Sequence, residues 1–510
     1  SLVIPLIGWL GRTRAYIKFG TGNYRSDQQI IPPVGSLSRA WAYITAVVVT
    51  ALGFILSLTG LHSVLGSGTM SYHMGGWAPP MGIEFVLDPL SAFMVTILTG
   101  VSLLVLIHSK NSLEKELPKK VVPFYSLSMI LLAGLCGMVM TGDLFNLYVF
   151  LEIAALSGYA LLAIGDKKAY VSSFRYLTLG TAGASFYLIG LAFIFMSTGS
   201  LNMADIADLL PMVQHSTPVV IGMILIVLGI GLKMALFPMH AWLPDAYTYA
   251  SSTATALIAP IGTKVAAYIL IRIMFFVAAP AYVHDELNLT YVVGYLGAVG
   301  IIWGSIMAIC QKELKRMLAY SSVAQVGYIA LGIGLASPLG FVGAILHILN
   351  HACMKACLFL ISGNLRLKLG HSTIPEFTNS LSRSMPWTSA AFTVAAISMI
   401  GLPPTAGFFS KWYLALGSIE QSNWLFLAAL LISSLLNAVY FFRIIEKMYL
   451  KPRHAKTAQA PEGEAVVVRN EAPFSMLAPA MILALGLFVL GIMNVFIVEN
   501  VIRLMIPGGL

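Results

Sequence analysis

Apolar runs of about 20 residues recur along almost the whole of this chain, each long enough to cross a hydrocarbon layer about 30 Å thick. Thirteen are read, near 41–64, 85–108, 121–141, 144–164, 173–197, 218–238, 252–279, 288–310, 317–335, 338–364, 388–416, 421–446 and 474–498. A partial run at 1–10 is too short to span; because the chain begins without a methionine, either the first helix has lost its start or the numbering begins inside it. Of the 510 residues 58% are hydrophobic and 10% charged, where soluble domains carry roughly 25% charge. With a mean hydropathy of +0.85, the chain reads as an all-α integral membrane protein with one polytopic domain.

A net charge of +9 and a pI near 9.2 would suit nucleic acid, but the cations sit in alternate loops. Arg12, Arg14, Lys18, Arg25 and Arg39 precede 41–64, Lys110, Lys115, Lys119 and Lys120 follow 85–108, and Lys167, Lys168 and Arg175 follow 144–164. The alternation continues through Lys312, Lys315 and Arg316, then Arg366, Lys368 and Arg383, then the stretch from Arg443 to Arg469. Loops 65–83, 198–217 and 280–287 carry no Lys or Arg. The positive-inside rule therefore places the basic loops in the cytoplasm and both termini outside. The basic surplus is a topology signal, and nucleic acid is not an expected partner.

Cys136, Cys310, Cys353 and Cys357 all fall inside apolar runs and read as packing residues, not as a disulfide framework. Gly180, Gly183 and Gly190 fit close helix packing. No phosphate-binding loop, dinucleotide fingerprint or haem or iron–sulfur spacing occurs, so no cofactor is expected.

Setting the loop cations aside leaves Lys233, Lys264, Arg272, Lys355 and Lys411 within spans. A lysine at the bilayer centre costs about 2.5–3.5 kcal/mol on insertion scales and normally marks an ion pathway. Arg272 lies far enough along its span to snorkel and is discounted. Glu152 is the one carboxylate clearly inside a run, NLYVFLEIAALSGYALL, and its natural partner is a lysine that would keep it ionised.

Lys233 lies in GIGLKMALFPMHAWLPDA, where Pro238 cannot donate to the carbonyl of Met234 and should kink or break the helix. Lys411 repeats the situation in MIGLPPTAGFFSKWYL, interrupted by Gly401, Pro403, Pro404 and Gly407. Two interrupted helices, each with a buried lysine, fit an inverted-repeat transporter. Pro260 precedes Lys264 by one turn on the same face. His347, His351 and Lys355 are spaced i, i+4, i+8, lining one helix face over about 12 Å in the manner of a proton relay. The H-x-x-x-H pair has no third ligand in view, so no metal site is expected.

Asp88 in VLDPLSAFM, Glu152, Lys233 followed by PMHAWLPDA, KRMLAYSSVAQVGY, LHILNHACMKACLFLISG and GLPPTAGFFSKW occur in this order over nearly the whole chain. The set resembles the antiporter-like membrane subunits of respiratory complex I, Mrp-type cation/proton antiporters and membrane-bound hydrogenases. That resemblance implies about fourteen transmembrane helices, with helices 4–8 and 9–13 as two inverted five-helix repeats and helices 7 and 12 broken. The implied division is 1–120 for helices 1–3, 121–280 for the first repeat, 281–450 for the second, 451–472 for a charged cytoplasmic linker and 473–510 for helix 14. It implies roles too: Glu152 and Lys233 as a switch pair, Lys264 as relay, His347 and His351 as central connection, Lys411 as the terminal lysine, and Lys355, His240 and Asp143 as secondary relay. One departure stands in YTYASSTATA at 247–256, where the family's stretch is rich in Ala and Pro, so this loop is expected to differ in rigidity.

GDLFNLYVFLEI and TKVAAYILIRI resemble the D-type subunits of Mrp antiporters and their hydrogenase counterparts more than the complex I subunits. The implied function is a proton-translocating subunit of a multisubunit complex in a prokaryotic cell membrane, with no redox centre of its own. Other membrane subunits are its partners, and protons, with Na+ left open, are its cargo. The alternative is a membrane-arm subunit of an NADH:quinone oxidoreductase coupling electron transfer to pumping. Two further classes stay on the table: a structural subunit whose buried charges only hold helices together, and a stand-alone transporter of a small solute.

Overall fold

The computed structural model describes residues 36–165, 167–450 and 469–510. The partial run at 1–10, the cations from Arg12 to Arg25 and most of the linker 451–472 lie outside the described residues. In chain order the helices are α1 (Ser36–Ser67), α2 (Pro89–Glu116), α3 (Val121–Met140), α4 (Leu144–Ala163), α5 (Lys167–Thr198), α6 (Met203–Val213), α7 (Thr217–Met234) and α8 (Leu243–Tyr249). There follow α9 (Ser252–Arg272), α10 (Leu289–Ile309), α11 (Leu314–Gly334), α12 (Pro338–Leu369), α13 (Pro386–Ile400), α14 (Ala406–Glu420), α15 (Trp424–Tyr449) and α16 (Phe474–Ile492). Among the described residues 12 helices are long and apolar enough to cross a membrane; each matches an expected run. The remaining run, 388–416, is divided between the half-length α13 and α14.

Both breaks fall where the sequence interrupts the backbone ladder, though not at the expected residue in each. α13 stops at Gly401, whose φ of +91° favours glycine, and Pro403 and Pro404 keep the chain from re-entering a helix until Ala406. α7 stops at Met234, four residues ahead of Pro238, so the expected end of that run at 238 is corrected. Ala235 turns left-handed at φ 62°, and Leu236 N–H closes the helix on Gly231 O at 2.9 Å. Trp242 Nε1 reaches back to Leu232 O at 3.1 Å, satisfying another carbonyl of the last turn.

The proline-free stretch 247–256 is tied down by hydrogen bonds. Thr255 Oγ1 donates to Tyr247 O at 3.0 Å, Ser251 caps α9 through Ala254 N, and the Glu116 carboxylate accepts from Ser252 N at 3.0 Å and Ser252 Oγ at 2.6 Å. α9, α11 and α12 make the buried centre of the bundle, and α1 lies at its edge. A two-stranded hairpin, β1 (Met70–His73) and β2 (Glu84–Leu87), pairs antiparallel with Met70 opposite Leu87 beside the start of α2.

Basic loops gather at the opposite end from that hairpin. Lys115 Nζ donates to Leu367 O, Lys120 Nζ to Ile164 O, and Arg175 and Arg316 share Asp245 at 3.1 and 3.3 Å.

Small residues let helices touch backbone to backbone. Where α5 crosses α7, a Cβ on Gly229 would lie 2.5 Å from Gly183 O, and one on Gly190 2.6 Å from Gly222 O. α10 meets α11 the same way, with a Cβ on Gly297 falling 2.8 Å from Gly327 O. Gly229→Leu is expected to destabilise the chain by about 1–3 kcal/mol through overpacking, read as a lower melting midpoint in detergent. Gly486→Leu, at a site with nothing within 4 Å, is the control that leaves the midpoint in place; equal effects would count against the crossing.

Candidate functional site

The intramembrane cations converge on one polar row through the middle of the bundle, running from α4 through α7, α9 and α12 to α14. At its first end Lys233 stands in the last turn of α7, where the helix dipole favours a cation. Its Nζ donates to the Tyr159 hydroxyl of α4 at 3.1 Å. The expected contact with Glu152 is not made: Glu152 Oε1 is buried without a hydrogen-bond partner, and no ion pair joins the two among the described residues. Glu152 and Tyr159 are seven residues apart on one face of α4, about 10 Å along its axis, so the hydroxyl occupies the lysine's position nearer the break. Lys233 remains within electrostatic reach of Glu152.

A cavity with about 50 Å³ of water-accessible space separates Lys233 from α9, lined by Gly262 and Thr263 of that helix and by Tyr176, Trp242 and Tyr247. One water needs about 10–15 Å³ on this measure, so the space has room for a few. On its far side Thr263 Oγ1 accepts from Lys264 Nζ at 3.3 Å, and Ala259 O accepts from the same nitrogen at 2.8 Å. Lys264 is fully buried.

His347, His351 and Lys355 follow on α12, all fully buried. The two imidazoles lie nearly parallel, centroids 5.8 Å apart. His347 and His351 are both within electrostatic reach of Lys264, and His347 also of Lys411. His347 Nδ1 bonds Ser410 Oγ at 2.9 Å, one residue from Lys411. Lys355 Nζ donates to Leu318 O at 2.7 Å and to Ser321 Oγ. His347 Nε2 and both ring nitrogens of His351 have no hydrogen-bond partner.

Lys411 closes the row. Its Nζ donates to Met399 O at 3.0 Å and Ile400 O at 2.9 Å, the exposed carbonyls at the end of α13, and to Ser434 Oγ at 3.3 Å. The Tyr328 ring lies 4.9 Å away, within cation–π range. Gly401 makes room: a Cβ there would meet Lys411 Cδ at 2.9 Å. A small cavity lies between Lys233 and Thr263, the neighbour of Lys264; Lys264 is within electrostatic reach of His347 and His351, whose rings face each other, and His347 bonds Ser410 beside Lys411, with Lys355 one turn beyond His351.

Asp143 and His240 stand apart from it. Asp143 caps α4 by accepting from Asn146 N at 2.6 Å, nine residues before Glu152, and burial pushes its carboxyl above the ordinary range. His240 sits in the α7–α8 break, stacked on Phe237 at 5.5 Å, with Nδ1 unpartnered. Among the described residues no group of three His, Cys, Asp or Glu side chains is placed to hold a metal.

Arg272 does not snorkel. It is bound bidentate to Asp88, Nη1 to Oδ2 at 2.5 Å and Nη2 to Oδ1 at 2.7 Å, and both side chains are largely buried. The reason is a second partner: Tyr268 Oη accepts from Arg272 Nε at 3.1 Å while donating to Val139 O at 2.7 Å. Burial raises the Asp88 carboxyl, but the hydrogen bonds and charge of Arg272 and the bonds to Ser91 outweigh it and hold the group below its ordinary 3.8. Tyr159, Tyr328 and Ser410 were likewise not singled out from sequence; a hydroxyl inside an aromatic or small-residue run carries no signal until the helices are packed.

Twelve spans among the described residues, two broken helices and buried lysines beside the breaks define a polytopic membrane subunit of antiporter-like build. The chain belongs to the NADH:quinone oxidoreductase/Mrp antiporter transmembrane family, whose model matches residues 141–437; the complex I chain 5 N-terminus model matches residues 77–116. It is 47% identical to NADH-quinone oxidoreductase subunit N of Desulforudis audaxviator over 474 residues, 90% of this chain and 93% of that one. It is 30% identical to the D-type subunit of the Na(+)/H(+) antiporter of Alkalihalophilus pseudofirmus over 384 residues, 75% and 76% of the two chains. Among solved structures, a chain of the membrane-bound sulfane sulfur reductase, an archaeal respiratory membrane complex, superposes with a TM-score of 0.82 at 30% identity, covering 99% of this chain and 97% of that one. Both readings offered by the sequence, the Mrp and the complex I branch, are thus represented among its relatives.

Asp88→Asn leaves the Arg272 guanidinium buried without a counter-charge and is expected to cost about 3–5 kcal/mol, measured as melting in detergent at neutral pH. Because the folded carboxyl is depressed, its contribution is complete above pH 3.8 and is lost as pH falls through the lower folded value. Wild-type and variant melting curves should therefore differ by a constant amount between about pH 5 and pH 8; a gap that closes toward pH 5 would sink this account.

Proposed function

We propose that this chain conducts protons as one membrane subunit of a multisubunit, Mrp- or complex I-like assembly in a prokaryotic cell membrane, with the basic loops inside and both termini outside. In this reading 121–280 and 281–450 are the two inverted repeats. A proton enters from the cytoplasmic side toward Lys233 and Lys264, passes along His351 and His347, and leaves from Lys411. Glu152, Lys233, Lys264, His347, His351 and Lys411 carry the transfer; Lys355, His240 and Asp143 are secondary.

The observation that carries this reading is the seating of Lys411. Its amine is held by two carbonyl dipoles and a hydroxyl, with no carboxylate in an ion pair among the described residues. Such partners stabilise the ammonium without the full grip of a counter-charge, so a nearby charge can tip it. A neighbouring subunit that attracts or repels Glu152 would set Lys233, and one unit of pKa coupling is about 1.4 kcal/mol. The reading is supported by relatives named as subunits of a sodium/proton antiporter and of an NADH-quinone oxidoreductase, and by likeness to a chain of a membrane-bound sulfane sulfur reductase.

The test is proton and sodium flux in vesicles containing the native complex. Lys411→Ala is expected to abolish proton flux while the complex assembles normally, and Glu152→Ala to uncouple it. Unchanged flux in an assembled Lys411→Ala complex would return these lysines to a structural role.

A further inference from the structure

Tyr159 is held more firmly than a packing tyrosine requires. Gly180 of α5 lies directly beneath its hydroxyl, so close that any Cβ at 180 would collide with Tyr159 Oη. The Tyr176 ring meets it edge-on at 4.6 Å and is itself stacked on Trp242 at 3.8 Å. Ser173 Oγ ties down the Tyr159 carbonyl at 2.6 Å. All this fixes one hydroxyl 3.1 Å from the Lys233 amine, while Glu152 Oε1, on the same face of α4, is buried and unpartnered.

We propose that Tyr159 is a positioning residue that gives Lys233 a second resting place away from Glu152, making the pair a two-position switch. The inference rests on the relay reading above. Its chemistry lies in what each partner can bind: a hydroxyl accepts from an ammonium and donates to a neutral amine, whereas a carboxylate holds the ammonium alone. Lys233 therefore stays seated on Tyr159 after passing its proton across the cavity to neutral Lys264, which becomes the ammonium, and moves to Glu152 only while charged. The tyrosine gains and loses no proton in either position. The titratable groups facing this switch are Glu152 and Tyr159 from α4, Tyr176 from α5 and Tyr247 from α8. α9 presents Thr263, with Lys264 behind it, and α3 presents apolar Leu131, Leu135 and Met138.

Two variants test it in everted membrane vesicles of the native complex, with proton flux followed by quenching of a pH-sensitive acridine dye across a pH series. Tyr159→Phe removes the hydroxyl; Gly180→Ala keeps it and drives it off its seat. Each is expected to shift the pH profile upward by about one unit, the worth of one hydrogen bond to the neutral amine, because uncharged Lys233 loses its seat while the ammonium keeps Glu152. Flux at neutral pH should fall correspondingly, by about tenfold. Either variant that assembles decides the question, and a wild-type profile in it overturns the assignment of Tyr159. Lys233→Ala, measured alongside, separates the two claims: if it abolishes flux while the Tyr159 and Gly180 profiles stay in place, the switch falls and the relay stands, and if it conducts normally the relay falls and the switch with it.

Discussion

An ammonium in hydrocarbon must be solvated by protein, and nearly everything specific about this chain follows from how that is done. Lys264, Lys355 and Lys411 are held by backbone carbonyls and hydroxyls, and Lys233 by a tyrosine hydroxyl in the last turn of a helix. Lys411 uses carbonyls at the interrupted end of α13, whereas Lys264 and Lys355 bond the carbonyls of Ala259 and Leu318 inside continuous helices, where a second lone pair on the oxygen is open to them. Gly401 shows the coupling at one position: its left-handed backbone ends α13, and its missing Cβ leaves the space that Lys411 fills.

The bundle uses two kinds of polar contact with different consequences. Asp88 and Arg272 are locked by a bidentate pair reinforced by Tyr268 and Ser91, a geometry that joins α2 to α9 and leaves little to titrate. The central row is the opposite: lysines held by neutral carbonyls and hydroxyls, open ring nitrogens on His347 and His351, and a small cavity beside Lys233. The hairpin end is thus fixed by a paired charge, and the middle of the bundle is not.

Spans were legible because the bilayer imposes length and composition on each one separately, and the breaks because proline and glycine disturb a helix whatever surrounds them. The end of the first broken helix was less so: it stops at Met234, whose carbonyl Pro238 cannot serve, with Ala235 left-handed, Leu236 closing on Gly231 and Trp242 reaching Leu232 O. Arg272 was misread since its partner lies 184 residues away, beyond any local pattern. The lysines and histidines announced themselves by being costly where they stand. Tyr159 and Ser410, cheap to bury and common in spans, became visible only through the atoms they touch. Roles along the row rest on family resemblance and geometry together, and are proposals.

One consequence of the α12 row concerns how many charges it can carry. Lys264 lies within electrostatic reach of His347, His351 and Lys355, and these groups all become positive when they bind a proton. In a medium of low polarisability, a cation on one of them raises the cost of a second. In the proposed relay, a charge arriving on one of these sites would therefore favour departure of the one ahead of it, so that the spacing of like-signed sites would order the movement.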